Sequence, residues 1–233
     1  MRLAIMQPYF LPYIGYWQLL AAVDRFVVYD RIQYTKKGWI NRNRFLLNGR
    51  DELFSLPLRK AAEGLDVVDR ELAPEFDPGK LLARWTGAYR RAPHFASTIE
   101  LMERVLACSD RNLFAFLRHS ICTVATHLGI RTPIVTSSDL PAQATSGRGV
   151  EKVLGICKAH GATCYVNPIG GLELYDKATF AEHGVKLQFL RARLPEYPQL
   201  GGPHVPALSI LDVLMFNPVE AVRDQMLPAY DLL

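Results

Sequence analysis

The first 30 residues constrain the fold of this chain more than any other stretch. Arg2–Gln7 (RLAIMQ) reads as a buried strand that Pro8 ends, and Tyr13–Val23 carries helical spacing with Trp17 and Leu20 on one face. Phe26–Asp30 (FVVYD) is a second short apolar run, rich in β-branched and aromatic residues. Two strands joined through a helix pair in parallel, because a tight turn can only join antiparallel neighbours. Three further apolar runs, Pro133–Thr136, Cys164–Asn167 and Val185–Leu190, are also separated by helical patterns or loops. The expected fold class is therefore α/β, with a mostly parallel Rossmann-like sheet, of which a nucleotidylyltransferase-like topology is one form.

The remaining signals decorate that sheet. Asn48-Gly49, between Arg44–Leu47 and Glu52–Leu58, marks a β-hairpin. From Pro78 to Leu128 come three helical patterns; Pro93 separates the first two, Ser109-Asp110 is the expected N-cap of the third, and Gly129 its C-cap. This predicts a single α/β domain over 1–233 with a helical insertion at about 74–128. Helices are expected over Val150–His160 and Asp176–His183, a final strand over Val185–Leu190, and short helices over Leu208–Asn217 and Pro218–Met226. At 233 residues and 49% hydrophobic composition such a chain can bury a full core without disulfides. No apolar run approaches the ~18 residues of a membrane span. The four cysteines form no C-x-x-C and read as reduced thiols of a cytoplasmic protein. Gln7, Pro8 and Pro12 interrupt what would otherwise mimic a signal peptide, so a mature cytoplasmic N-terminus is expected.

Charge is concentrated. Of the net +4, the window Arg31–Arg50 holds +6 (Arg31, Lys36, Lys37, Arg42, Arg44, Arg50, no acid), which leaves the rest of the chain at −2. One cationic segment in a near-neutral protein points to an anionic ligand at a defined place. Polymeric nucleic acid, with Tyr34, Trp39 and Phe45 stacking bases, is the weaker reading, because such footprints extend over a whole face. A phosphorylated small molecule needs only a few convergent donors. The plain structural alternative is a solvated basic loop and hairpin.

Open parallel sheets bind ligands beyond the carboxyl ends of their strands. After the first strand stand Gln7, Pro8 and Tyr9; after the second, Asp30 and Gln33; after the third, Ser137, Ser138 and Asp139; after the fourth, Asn167, Gly170 and Gly171. Gln7, Tyr13, Tyr16, Asp30, Asn41 and Asn43 are expected to line one cleft with Ser137 and Gly170. The segment PYFLPYIGY has the shape of the H-I-G-H signature of nucleotidylyltransferases, with Tyr13 and Tyr16 in the histidine places. A phenol donates a hydrogen bond but cannot be a cation near neutral pH. No P-loop and no G-x-G-x-x-G is present. Ser146-Gly147-Arg148-Gly149 before a helix suits an anion, and equally an ordinary loop. His119 and Cys122 share a helix face near His127, but a third acidic ligand is missing, so a packed helix is preferred and no metal is expected. His94 is expected to cap or flank a helix. His160 and His183, beside Gly161 and Gly184, are expected as cations at helix C-termini.

Over MQPYFLPYIGYWQLLAAVDRFVVYDRIQYTKKGWINRNRF the chain resembles the WbqC-like family. Later stretches agree: Lys152, Leu154, Ile156, Cys157 and Lys158, then Tyr165 with Gly170-Gly171, then Pro195–Gln199 (PEYPQ) and Leu208–Asp212 (LSILD). The resemblance implies a role in bacterial gene clusters for O-antigen, other surface polysaccharides or some secondary metabolites. The activity it implies is attachment of an acyl or amino-acyl group, glycine for example, to an amino sugar on a nucleotide carrier, with ATP as a candidate cofactor. In that picture Lys36, Arg42 and Arg44 neutralise phosphates, Trp39 or Tyr34 stacks on the base or sugar, and Asp30 takes a proton from the attacking amine. Tyr13 and Tyr16 are the other catalytic candidates; Gln7, Gln33, Asn41, Asn43, Ser137, Ser138, Gly170 and Tyr175 complete the substrate-binding set. The partner expected is an anionic nucleotide-bearing small molecule. A non-catalytic scaffold of a glycan-assembly complex and a nucleotidylyltransferase-like enzyme are the alternatives. The chain departs from its relatives at Asn167-Pro168, where a small Ser-Gly pair is expected, and at Arg31, where an acid is expected.

Overall fold

A computed structural model describes residues 1–233. Strands β1 (Arg2–Met6), β2 (Arg25–Val28), β5 (Ile134–Thr136), β6 (Cys164–Pro168), β7 (Lys186–Ala192) and β8 (Tyr230–Leu232) form one sheet in the order β5-β2-β1-β6-β7-β8. All pairs are parallel except β7 with β8. The chain starts in the middle, builds outward through β2 and β5, then crosses β1 to lay down β6 and β7. Strand order therefore reverses between β1 and β6, the place where open α/β sheets leave a crevice for ligands. β3 (Arg42–Leu47) and β4 (Arg50–Ser55) make a separate antiparallel hairpin. Asn48 and Gly49 both take positive φ at its tip, as a two-residue turn between twisted strands requires. A Cβ on Gly49 would stand 2.4 Å from the Gly201 carbonyl oxygen, so the tip packs directly on the 193–209 strap.

Both faces of the sheet are covered at its centre, which is why the inner strands β1, β2 and β6 are apolar without alternation, whereas β7 towards the edge sets Lys186, Gln188 and Arg191 between its buried residues. Leu3, Ile5 and Val27 pack with α5 (Val150–Ala159) and α6 (Lys177–Glu182). Ala4, Phe26 and Val28 join a larger core with α1 (Ile14–Ala21), α2 (Pro78–Tyr89), α3 (Phe95–Leu106), α4 (Leu113–His127) and α7 (Ile210–Phe216). Phe10 ties the β1–α1 turn to this core, with ring centroids 5.7 Å from Phe54 and 5.9 Å from Phe116. No helix is long and apolar enough to cross a membrane.

Three local expectations are corrected. The N-cap of α4 is Asn112, whose side chain accepts from the Ala115 amide at 3.0 Å; Asp110 instead accepts from the Asn112 amide at 2.8 Å. A further strand, β8, follows the one expected to be last. It is three half-buried residues long, too short for any periodicity to mark it. His160 is no cation: its Nδ1 accepts from Arg25 Nη1 at 2.9 Å, and burial, then the Arg25 charge, push its pKa down.

Candidate functional site

The β1–α1 turn is held by side chains from distant parts of the chain. Leu11 has φ +46°, a left-handed conformation costly for a branched residue. Its carbonyl accepts from Asn43 Nδ2 (2.8 Å) and Ser209 Oγ (2.8 Å). Asn43 Nδ2 also reaches the Phe10 carbonyl (3.2 Å), and Trp17 Nε1 reaches that of Pro12 (3.0 Å). Beside this turn lies a first cleft of about 200 Å³, lined by Tyr9, Tyr13, Trp39, Asn43, Arg44 and Ala207 among others. Tyr13 (37% exposed) and Trp39 (43%) present open rings. The Arg44 guanidinium lies 5.6 Å from the Trp39 centroid and pairs with Asp51 at 3.0 Å. Burial raises the pKa of both Tyr13 and Tyr16, so both stay neutral phenols. Their places differ: Tyr13 faces the cleft, whereas Tyr16 is buried against Phe26 and donates to the Gln7 carbonyl at 3.2 Å. Gln7 Oε1 accepts from Tyr9 at 3.3 Å.

A second, wider cleft of about 760 Å³ lies on the other side of segment 36–44. Gln33, Tyr34, Lys36 and Asn41 come from the cationic window; Arg59, Lys60 and Arg70 add charge from beyond it, against the one acid Glu63. Lys36–Glu63 (3.2 Å) and Arg59–Glu71 (2.9 Å) are exposed pairs, of small energetic weight. Arg70 is different. It is 9% exposed, its guanidinium sits 4.8 Å over the Tyr34 ring, and its Nη2 donates to the Arg59 carbonyl at 3.3 Å. Its buried Nε has no partner. Tyr34 Oη donates to Asn41 Oδ1 (3.0 Å), and Asn41 Nδ2 to the Leu56 carbonyl (2.7 Å), so Asn41 fixes the cleft wall.

A third cleft of about 590 Å³ opens between α4 and the carboxyl ends of β2 and β5. Asp30 and Ser138 line it. Asp30 Oδ1 accepts from Ser137 Oγ (2.6 Å) and the Ser138 amide (3.1 Å). Burial acts to raise the Asp30 pKa, but the hydrogen bonds from Ser137, Ser138 and nearby backbone outweigh it, and the carboxyl ends below its ordinary value.

The residues expected in one cleft thus divide among three, with Gln7 and Tyr16 beneath the turn and Ser137 beneath Asp30. Arg42 opens β3, and its side chain turns back on the loop before it: Nε donates to the Gly38 carbonyl at 2.8 Å and Nη2 to that of Lys37. Arg42→Ala should therefore open the 37–42 loop and cost about 1–2 kcal/mol in denaturant melts; unchanged stability with lost ligand affinity would place Arg42 on the ligand instead. Gly170 and Tyr175 stand beyond β6, where the Tyr175 ring meets Tyr165 edge-on at 5.9 Å. Sequence reasoning missed Arg70, flanked by Asp69 and Glu71 and so hidden in a locally acidic stretch, and Arg118 on α4. Arg59-Lys60, just beyond the window, was a legible signal.

The stretches Pro195–Gln199 and Leu208–Asp212 are scaffold for the first cleft. The fully buried Asp212 accepts from Tyr89 Oη (2.7 Å), Tyr197 Oη (2.8 Å) and Gln199 Nε2 (2.6 Å). This closes the 193–209 strap over the hairpin and brings Ala207 and Ser209 to the β1–α1 turn. A family model, that of the WbqC-like protein family, matches residues 7–224. An uncharacterized protein of Mycobacterium tuberculosis is 30% identical over 221 residues, 93% of each chain. No solved structure matches the chain at a significant level. The matched span begins at the strained turn, takes in every residue of the three clefts and runs past Asp212, so the chain belongs to the WbqC-like protein family.

Proposed function

We propose that this protein is an enzyme of bacterial surface-polysaccharide or related metabolite biosynthesis. It binds a nucleotide-linked amino sugar and joins an acyl or amino-acyl group, such as glycine, to the sugar amine. The observation that carries this reading is the second cleft, where four cations face one acid around a largely buried guanidinium that no carboxylate pairs with. The Arg70 guanidinium pairs with no carboxylate, and a phosphate oxygen is the acceptor best matched to such a donor fork. Its volume lies within the range of small-molecule sites. The open rings of Tyr13 and Trp39, across the same segment, suit the face of a base or sugar. Amide formation from a free carboxylate requires activation, so ATP is the co-substrate for that donor, whereas an acyl-carrier donor arrives activated. Asp30, with its lowered pKa, is a weak base and serves in this reading as a fixed negative charge rather than a proton acceptor.

Calorimetry with a nucleoside-diphosphate amino sugar tests the binding step. Affinity should fall with added salt, since screening shortens the reach of exposed charges. Arg70→Gln should weaken binding by roughly ten- to hundred-fold, the loss of a charge-assisted hydrogen bond of about 1.5–3 kcal/mol. Equal affinity in the variant and the parent would overturn the reading. Mass spectrometry of the same ligand incubated with ATP and glycine should detect the amide; binding without turnover would favour the scaffold alternative.

A further inference from the structure

We infer that the third cleft is a separate site for a small zwitterion, a free amino acid being the simplest ligand of that class. The floor of the cleft is Asp30, 1% exposed. Both hydrogen bonds to its carboxylate go to Oδ1, and no Lys, Arg or His pairs with it. A buried carboxylate held ionised by Ser137 and Ser138, yet left without a countercharge, calls for a cation from outside.

The other groups facing the cleft narrow the choice. Asp139 Oδ2 is engaged with the Thr136 amide at 3.2 Å, which leaves Asp30 as the carboxylate without a countercharge or a structural bond through Oδ2. From α4, His119 Nε2 is engaged with the Arg104 carbonyl at 2.9 Å, and burial pushes the Cys122 thiol up against the opposing effect of Arg118, so it stays protonated. No group of three His, Cys, Asp or Glu is placed to hold a metal ion. Arg118 lines the same cleft, and its side chain takes part in no ion pair and no hydrogen bond within the protein. An anion alone would meet the charges of Asp30 and Asp139; an amine alone would leave Arg118 unmatched. A ligand carrying both an ammonium and a carboxylate satisfies Asp30 and Arg118 together, the second through the paired donors of a guanidinium.

The site gives the amino-acyl donor of the proposed reaction a place, and depends on that reading for the donor's role alone; the binding itself involves no nucleotide. The full chain, without nucleotide, is titrated calorimetrically with glycine, alanine and β-alanine, and with methylamine and acetate as half-ligands. At least one amino acid should bind saturably, with each half-ligand roughly ten-fold weaker or more. Asp30→Asn should abolish the binding. Because that change also disturbs Ser137 and Ser138, Arg118→Gln is the second variant: exposed on α4, it should keep the parent melting temperature and bind the amino acid roughly ten-fold more weakly. Half-ligands as tight as the amino acid, no amino-acid binding at all, or equal affinity in Arg118→Gln would each overturn the inference. Nucleotide-sugar affinity, measured in parallel, separates the two proposals: its loss alone overturns the nucleotide reading, and its retention without amino-acid binding overturns this one.

Discussion

Replacing Asp212 by alanine should lower the melting temperature by roughly 6–20 °C, the counterpart of about 3–5 kcal/mol in a domain of this size. The carboxylate is the common acceptor of Tyr89, Tyr197 and Gln199, which come from α2 and from the strap. Tyr89 Oη in turn accepts from the Leu46 amide at 2.7 Å, so the network reaches β3 as well. Without Asp212, buried donors are left unmade, and each such loss costs about 1–3 kcal/mol. Asp212→Asn should cost less, because one amide oxygen still accepts while the NH2 group faces donors. pH separates charge from hydrogen bonding. Burial raises the Asp212 pKa above its ordinary 3.8, despite the opposing hydrogen bonds. A raised acid contributes stability that is complete below the unfolded value and is lost as pH rises through the folded one. The deficit of Asp212→Asn should therefore shrink as pH climbs from below 3.8 through that window. Urea melts across this range check it, and a constant deficit would mean that Asp212 titrates alike in both states.

Asn43→Asp should destabilise the protein by at least about 3 kcal/mol, with a Tm lower by roughly 6 °C or more. The Asn43 amide donates to the Phe10 and Leu11 carbonyls, and a carboxylate would set acceptor against acceptor in a buried place. Leu11 keeps its left-handed backbone because Asn43 and Ser209 hold its carbonyl, so this substitution also releases the turn that carries Tyr13. Circular dichroism melts measure the loss. A variant with the parent Tm and weakened nucleotide-sugar binding would instead assign Asn43 to the ligand.

Nearly all of the sheet could be read from residue type. Parallel strands buried on both faces must be continuous apolar runs, and crossover helices separate them, so RLAIM, RFVV, IVT and CYVNP announce themselves locally, while KLQFLRA is marked by the buried Leu187, Phe189 and Leu190 set among polar residues. Asn48-Gly49 announced the hairpin for an equally local reason, the positive φ that its turn requires. Where several residues satisfy the same local rule, the choice among them was not legible. Ser109, Asp110 and Asn112 can all cap a helix, and the start of α4 is set by Asn112, whose Nδ2 also donates to the Val68 carbonyl at 2.6 Å.

The candidate site divides along the same line. Residue type marked the polar ends of the strands and the cationic window as chemistry-bearing, because these are properties of the chain's own order. Which of those groups remain open to a ligand was decided by contacts between distant segments. Asn43 is used on the Leu11 carbonyl, Arg42 on its own loop, and Asp212 on three donors, whereas Asp30 and Arg70 each keep a charge without a counterion. A side chain is free for function when no partner lies within hydrogen-bond reach, and those partners arrive from positions as far apart as Leu11 and Ser209, 198 residues along the chain. Local pattern cannot encode that distance; packing does.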